Sequence, residues 1–301
     1  MSSFSPPNPA ERFVGPLPPE IKPSFEFAKS EFSVSAYSLP KEGRLSGNED
    51  AFFIDRTKPA VGVFDGIGSH AGSDVAASIA AVTVQKNLEQ APTVLDENGS
   101  MKVMRDALEA AHQAVVAESK GSKIGTTASI AKLFKTYDGR PYAAFAHVAD
   151  SRVYMQRQGK LSRLTLDSGL TIHEAPQSVK DLEDKLSEVM NPEEELSEYE
   201  QAEFNDRNVI NTYLGETGRI SPLIVVEFIM VEPGDRLILT TDGIHDNLTA
   251  SEIEHQIKDF HGDIFLPHVL IGAAQNRSRE YPEHPRAKPD DMTVASLTYM
   301  G

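Results

Sequence analysis

The sequence predicts an α+β fold in which antiparallel strands and paired helices form separate layers. Strand-like apolar runs follow one another across short turns, as at Gln158-Gly159-Lys160, without a helix after each one. Helical periodicity occurs instead in two pairs of segments, 74–88 with 101–119 and 250–260 with 267–279. A doubly wound parallel sheet needs a crossover helix between its strands, so this order favours antiparallel sheet.

Strands are expected where a short apolar run ends at a turn residue. These runs cover 60–64, 127–135, 142–149, 152–157, 161–164, 223–231, 236–241 and 292–299. Pro233-Gly234-Asp235 separates the sixth run from the seventh, and this turn sequence predicts that the two form a hairpin.

The first two predicted helices each have an apolar stripe at helical spacing. In the helix at 74–88 the stripe is expected to be Val75, Ile79 and Val82. In the helix at 101–119 it is expected to be Met104, Leu108, Ala111 and Val115. Among the histidines, His147 is expected to pack within a strand, and His112 and His255 to lie on helix surfaces.

Residues 1–24 are predicted to be a Pro-rich N-terminal arm. They contain seven of the nineteen prolines, and proline removes backbone donors that helices and sheets need. A polyproline II ligand around Pro16–Pro19 is the alternative interpretation. Residues 25–301 are predicted to form the globular domain.

An acidic insertion is predicted at about 168–207. This stretch has twelve acidic and three basic residues, a local charge of −9. Leu182, Leu186 and Val189 have the spacing of a short amphipathic helix. Its length indicates a lid or binding flap beside the fold, although a solvated acidic loop without function fits the same composition.

Composition excludes several classes of function. The chain has 29 Lys plus Arg against 45 Asp plus Glu, a formal net charge of −16. Such a balance argues against partners recognised through phosphate backbones or anionic lipids, so neither nucleic acid nor membrane is expected. The absence of cysteine excludes disulfides and thiolate chemistry. No secretory leader or 18-residue apolar run is found, and a cytoplasmic protein is expected.

Acidic residues recur where apolar strands meet turns. Asp65, Asp150 and Asp242 follow predicted strands, with Asp246 close behind; Glu49-Asp50 and Asp290-Asp291 precede apolar runs. A carboxylate at the end of a buried strand is costly unless it is paired or binds a metal. Nearby bases are few, and Arg152 could pair with only one of these acids.

Divalent cations are therefore the expected partners of these carboxylates. Mg²⁺ and Mn²⁺ prefer oxygen ligands. Two such ions about 3.5–4 Å apart activate a water and stabilise an in-line displacement at phosphorus. Any single Asp-Gly pair is ordinarily a turn, so the inference depends on the whole ordered set.

The ordered set resembles the metal-dependent Ser/Thr protein phosphatases, the type 2C or PPM family, and most of all its bacterial members. The resemblance spans about residues 30–300. The motifs, in the family's order, are NED (48–50), VFDGIGSHAGSDVAAS (63–78), GTTA (125–128), HVADSRVY (147–154), GKLSRLTLD (159–167), RNVINTYLG (207–215), GDRLILTTDGIHDNL (234–248) and DDMTV (290–294).

This resemblance implies a four-layer α-β-β-α sandwich of two antiparallel sheets flanked by helices, with the metals in a cleft at one edge. It implies that Asp65 bridges two Mn²⁺ or Mg²⁺ ions. The Gly66 carbonyl and Glu49 would bind one of them, and Asp242 and Asp290 would bind the other.

The resemblance also implies a wider set of acidic residues around the two core ions. Asp50 would hold a water on a metal. Asp150 and Asp246, together with Asp242, would bind the family's weaker third ion. The residues expected to take part directly in catalysis are Asp65, Asp242, His70 and Arg44.

His70 and Arg44 depart from the family's spacing. His70 lies where the family carries a proposed general acid, but the inserted Ile67-Gly68-Ser69 shifts it, and a turn or capping role is the alternative. The family's phosphate-gripping Arg lies four residues before the metal-binding Glu, where this chain has Leu45. Arg44 lies five before Glu49, and a guanidinium suits phosphate.

The activity that the resemblance implies is hydrolysis of phosphoserine and phosphothreonine in proteins by direct attack of a water that bridges two metals. The partner would be a phosphorylated protein in signalling, opposed by a Ser/Thr kinase, and a monomer is expected. Two alternatives remain open. One is a non-catalytic metal-binding relative that recognises a partner, and the other is a small-molecule phosphoesterase.

Overall fold

A computed structural model of the chain describes residues 31–44, 47–67, 72–120, 122–167, 170, 172–207, 209–216, 220, 223–258 and 264–301. The predicted Pro-rich arm and His70 lie outside these ranges. Within them, no helix combines the length and the apolar character needed to cross a membrane.

Twelve strands are described in these ranges. They are β1 (Phe32–Leu39), β2 (Ala51–Asp55), β3 (Ala60–Phe64), β4 (Gly66–Ile67), β5 (Gly125–Thr126), β6 (Ala128–Lys135), β7 (Pro141–Val148), β8 (Arg152–Arg157), β9 (Lys160–Arg163), β10 (Val225–Met230), β11 (Arg236–Thr240) and β12 (Met292–Tyr299).

Eight helices are described. They are α1 (Ser73–Gln90), α2 (Glu97–Ser119), α3 (Gln177–Glu188), α4 (Pro192–Glu195), α5 (Glu198–Asn205), α6 (Asp242–His245), α7 (Ala250–Ile257) and α8 (Leu266–Ser278).

Two antiparallel five-stranded sheets form the centre of the fold. Sheet A has the order β1-β12-β11-β8-β9, and sheet B has the order β10-β7-β6-β3-β2. A buried cluster that includes Val61, Phe145, Leu239 and Leu297 fills the space between them. Strands buried on both faces, such as β11, read as continuous apolar runs for this reason.

Helices cover the outer face of each sheet. α1 and α2 share a buried cluster with β3, β6 and β7 of sheet B. α7 and α8 share another with β11 and β12 of sheet A. The predicted four-layer α-β-β-α sandwich is therefore confirmed.

The predicted hairpin of 223–231 with 236–241 is wrong. β10 pairs with β7 in sheet B, whereas β11 pairs with β8 and β12 in sheet A. The turn between them crosses from one sheet to the other, and Arg157 pairs with Asp235 at that crossing. Turn residues predict a change of direction, but they do not specify which sheet the next strand enters.

The buried face of α1 also differs from the prediction. Val82 is exposed, and the face toward the core is formed by Ala76, Ala77, Ala80, Ala81, Val84 and Leu88. Alanine on this face allows α1 to approach α2 closely, because its side chain ends at Cβ. The predicted stripe of α2 is buried as expected, but His112 is buried too, and its Nδ1 accepts a hydrogen bond from Gly215.

Within the predicted acidic insertion, residues 172–207 fold into α3, α4 and α5. Val189, Leu196 and Phe204 form a small separate core with Leu186 packed against it. Ser197 caps α5, with a reciprocal hydrogen bond from its backbone to Glu200. Arg286, on the main body, donates hydrogen bonds to the carbonyls of Leu186 and Val189 and so joins this small core to the sandwich.

Candidate metal centre

The acidic residues predicted from the sequence lie at one edge of the sandwich. In sheet B, Ala51 is paired with Phe64, so the start of β2 and the end of β3 coincide. In sheet A, Thr240 at the end of β11 is paired with Val294 and Arg152, near the starts of β12 and β8. This register brings the segments that carry Asp50, Asp65, Asp150, Asp242 and Asp290 to a common edge.

Asp50 connects the two sheets at this edge. It precedes β2 of sheet B, yet its Oδ2 accepts hydrogen bonds from two threonines at the edge of sheet A. Thr241 Oγ1, one residue past β11, lies at 2.8 Å, and Thr293 Oγ1, on β12, lies at 2.6 Å. Asn48 Oδ1 accepts from the Asp50 backbone at 3.0 Å. Asp50 Oδ1 is buried and has no hydrogen-bond partner among the described residues.

Asp65 is fixed by its backbone, and its side chain is left for other partners. Its N–H donates to Thr127 Oγ1 at 2.9 Å, and its carbonyl accepts from the Thr127 N–H at 2.9 Å. Gly66, which follows, donates its N–H to the Glu49 carbonyl at 3.2 Å and so ties the two predicted ligand segments together.

Both Asp-Gly pairs need glycine because of close backbone packing, and neither glycine has a positive φ. A Cβ on Gly66 would lie 2.5 Å from the Ser73 carbonyl oxygen and 2.6 Å from that of Glu49. A Cβ on Gly243 would lie 1.9 Å from the Asp291 carbonyl oxygen. Gly66 begins β4 and Gly243 lies within α6, so these pairs are not ordinary turns.

Asp150 is buried immediately after a strained residue. Ala149 has a φ of 76°, a left-handed conformation that is unfavourable for a residue with a Cβ. Neither carboxylate oxygen of Asp150 has a hydrogen-bond partner in the described part of the chain. Strain of this kind persists where the surrounding structure requires it, and it is frequent at functional sites.

The carboxylates at the edge of the sandwich repel one another. Burial, and then the charges of other acidic residues, raises the pKa of Asp50, Asp65 and Asp150 well above the ordinary range. Asp242 contributes to all three shifts. One of its own oxygens, Oδ1, is buried without a hydrogen-bond partner among the described residues. A divalent cation would relieve this repulsion.

Two basic side chains that the sequence analysis did not place in the site lie at its flanks. Lys288 Nζ contacts Asp242 and is 2.9 Å from Asp246 Oδ2 and 3.2 Å from Asp290 Oδ2. Arg207 Nε lies 3.5 Å from Asp246 Oδ1. The guanidinium of Arg152, which could have paired with at most one of the site acids, binds Asp167 at the entry to the acidic insertion instead.

Asp291 has a structural role that the sequence did not reveal. Its carboxylate accepts hydrogen bonds from the backbone of Lys41 at 2.6 Å and of Glu49 at 2.8 Å. It also binds Arg44 Nη1 at 2.6 Å, and the same nitrogen donates to Glu49 Oε2 at 2.7 Å. Asp291 therefore positions Glu49 and Arg44 together, and Arg44 lies at the site despite its shifted spacing.

The donor set has the chemistry that hard divalent cations require. Buried carboxylate oxygens of Asp50, Asp150 and Asp242 lack partners, and carboxylates are the ligands that Mg²⁺ and Mn²⁺ prefer. Across the described ranges, no three His, Asp or Glu side chains already converge closely enough to hold an ion. The fit to such ions is therefore one of donor chemistry and burial.

Comparison with known proteins identifies the family of the chain. The family model described as "Protein phosphatase 2C" matches residues 43–269, three quarters of the chain. The chain belongs to the protein phosphatase 2C family. It is a Ser/Thr protein phosphatase whose action on phosphoproteins depends on metal ions.

Relatives and solved structures of this phosphatase family resemble the chain over most of its length. The serine/threonine phosphatase stp of Listeria welshimeri is 26% identical over 219 residues, 70% of this chain and 77% of that protein. The structure of Stp1 from Staphylococcus aureus matches with a TM-score of 0.68 at 18% identity and covers 90% of this chain and 96% of that one. The PstP catalytic domain, described in complex with two manganese ions, matches with a TM-score of 0.65 at 20% identity and covers 90% of this chain and 99% of that one.

Proposed function

We propose that the carboxylates of Glu49, Asp65, Asp242 and Asp290, with the Gly66 carbonyl, hold two Mn²⁺ or Mg²⁺ ions that serve phosphoserine and phosphothreonine hydrolysis. The observation that carries this proposal is a sandwich edge where burial and neighbouring acidic residues raise the pKa of Asp65, and where buried oxygens of Asp50, Asp150 and Asp242 have no described hydrogen-bond partner. When bound, the two ions supply a more acidic water and offset charge that develops on the phosphoryl oxygens.

The residues of the chain orient this chemistry. Thr241 and Thr293 hold one oxygen of Asp50, which leaves the other to accept from a water at the site. Thr127 holds the backbone of Asp65, because it hydrogen-bonds to both the N–H and the carbonyl of that residue. Asp150 and Asp246 are proposed as the further acidic residues beside Asp242. His70 as general acid stays a prediction, since it lies outside the described residues.

Arg44 is proposed to contact the substrate phosphate. Asp291 and Glu49 both accept from Nη1 of its guanidinium, and a planar guanidinium presents further donors to a phosphate oxygen. Burial alone would lower the pKa of Arg44, but Asp291 and Glu49 raise it, so the group stays charged.

The substrate is proposed to be a phosphoprotein made by a Ser/Thr kinase, and the cytoplasmic, monomeric enzyme predicted from the sequence stays part of this proposal. The insertion at about 168–207 is proposed to affect substrate choice. Glu193, Glu194 and Glu195 are exposed on it, and they would disfavour highly acidic phosphopeptides.

The test uses purified protein with phosphopeptides and with a small aryl phosphate, each in Mn²⁺ and in chelator. Turnover of phosphopeptides in Mn²⁺ and its loss in chelator are expected, because metal ions offset the charge of the acidic edge. Thermal unfolding without substrate should also shift upward with Mn²⁺, since an ion that binds only the folded state stabilises it.

Three other outcomes would point elsewhere. Turnover that persists in chelator would contradict the two-metal proposal. Activity on aryl phosphate with none on any phosphopeptide would favour the small-molecule phosphoesterase. Stabilisation by Mn²⁺ without any turnover would favour the non-catalytic binding relative.

Arg44→Ala is expected to raise the KM for phosphopeptide about tenfold at saturating Mn²⁺, which corresponds to about 1.4 kcal/mol of lost binding. Steady-state kinetics at several Mn²⁺ concentrations measure this. The matched control is Arg56→Ala. Arg56 is exposed in the turn that follows β2, at the opposite end of that strand from Glu49 and Asp50. If Arg44 only positions Glu49, the Mn²⁺ requirement would change while KM at saturating Mn²⁺ stayed constant.

A further inference from the structure

The side chain of Lys288 enters the acidic edge from the segment that precedes β12. Its Nζ contacts Asp242 Oδ2 and lies 2.9 Å from Asp246 Oδ2 and 3.2 Å from Asp290 Oδ2. The side chain is 16% exposed. Three carboxylate groups surround Nζ, and a lysine amine pairs with carboxylates in this way as an ammonium.

The backbone of Lys288 is fixed to the element that carries Asp242 and Asp246. Asn247 Oδ1 accepts from the Lys288 N–H at 2.9 Å, and Asn247 Nδ2 donates to the Lys288 carbonyl at 2.8 Å. The same Nδ2 donates to the Gly243 carbonyl at 2.8 Å. Asn247 is fully buried. Because both backbone groups of Lys288 are hydrogen-bonded to Asn247, its position at the site is fixed by the fold.

The cation lies nearest to the residues proposed beside a third ion. Its Nζ contacts Asp242 and is 2.9 Å from Asp246 Oδ2, two of those three residues, and it is farther, at 3.2 Å, from Oδ2 of the proposed core-ion ligand Asp290. The two carboxylate oxygens of Asp242 have different surroundings. Oδ2 accepts from Lys288, and Oδ1 has no described hydrogen-bond partner.

We propose that the Lys288 ammonium takes the position of the third divalent ion, so that this chain binds two metal ions and supplies the third cation itself. The inference rests on the ligand set in the proposed function. An ammonium and a divalent ion compete for the same Oδ2 atoms and repel each other, so both cannot occupy this flank. Arg207 near Asp246 Oδ1 adds to the same exclusion.

A tethered cation differs from a bound ion in one functional respect: it is not lost on dilution or chelation. The flank of Asp150, Asp242 and Asp246 stays compensated when the core ions exchange. Activity should therefore reach its maximum with two ions bound, without a later rise at high Mn²⁺.

The experiment counts bound Mn²⁺ directly, by titrating full-length protein with Mn²⁺ alone and measuring the free ion by electron paramagnetic resonance. Wild type should bind two ions. Lys288→Met keeps a long unbranched side chain and removes the charge. This variant should bind a third Mn²⁺ ion at least about tenfold more tightly than wild type does. Lys288→Arg, which keeps the charge, should bind two.

A double variant locates the added ion. Asp246→Asn in the Lys288→Met background should return the count to two, because it removes one of the three carboxylates proposed for the third ion. Circular dichroism checks that each variant is folded, and the wild-type count needs no variant.

The outcomes separate this inference from the proposed function. Three ions in wild type, or two in folded Lys288→Met, would overturn the role of Lys288 and leave the two-ion proposal intact. Wild type that binds no Mn²⁺ would overturn the ligand set, and this inference with it.

Discussion

Asp242→Asn is expected to lower phosphopeptide turnover by about a hundredfold or more at the Mn²⁺ concentration that saturates wild type. The charge of Asp242 raises the pKa of Asp50, of Asp65 and of Asp150, so Asp242 lies close to all three carboxylates. Its Oδ1 is buried without a described partner and is available to an ion. Asparagine keeps the shape but removes the charge that would bind the ion.

Turnover and Mn²⁺ affinity are both measured for this variant. Asp96→Asn is the matched control, because Asp96 caps α2 on the helical layer outside sheet B, and asparagine caps a helix equally well. The control should retain wild-type values for both quantities. An Asp242→Asn enzyme with wild-type turnover would remove Asp242 from the metal centre.

Gly243→Ala is expected to lower the free energy of unfolding by about 3 kcal/mol and to weaken Mn²⁺ binding. The added Cβ would lie 1.9 Å from the Asp291 carbonyl oxygen, and backbone atoms there cannot rotate away as a side chain can. Either α6 or the start of β12 must move, and these segments carry Asp242 and Asp290. Stability and metal affinity should therefore fall together.

Urea denaturation without metal measures the stability term. Gly272→Ala supplies the control, because Gly272 lies in α8 with no atom outside its own helix within 4 Å of an added Cβ. Alanine in a helix is favoured over glycine by about 0.5–1 kcal/mol, so this variant should be slightly more stable than wild type. Equal stability of Gly243→Ala and wild type would contradict the close packing of α6 on Asp291.

Much of the site could be predicted because its acidic residues follow a local rule. A strand ends, and an acidic residue occupies the position where a buried carboxylate is costly, so the sequence marks Asp65, Asp150 and Asp242 without knowledge of the fold. The antiparallel register then brings these strand ends to one edge. The first feature depends on short stretches of sequence, whereas the pairing of β11 with β8 and β12 joins strands that are distant in the chain.

Other parts of the site depend on contacts between distant residues and left no local signal. Lys288 reads as one base in a loop, and only the packing of that loop on Asn247 brings it to Asp242 and Asp246. Asp291 reads as one more acidic residue beside the predicted ligand Asp290, but its carboxylate faces the segment that carries Arg44 and Glu49. For the same reason, the turn at 233–235 did not reveal that β10 and β11 enter different sheets.

The last strand of the chain, β12, lies between β1 and β11 in sheet A. A polypeptide emerging from the ribosome therefore cannot complete sheet A until β12 is free, because β12 is the strand that β1 pairs with among the described strands of that sheet. Thr293, which holds Asp50, and Asp290 arrive with the same strand. Catalytic competence is thus postponed until β12 has been made, and chains that stop before β12 would carry most of the acidic residues without a working phosphatase.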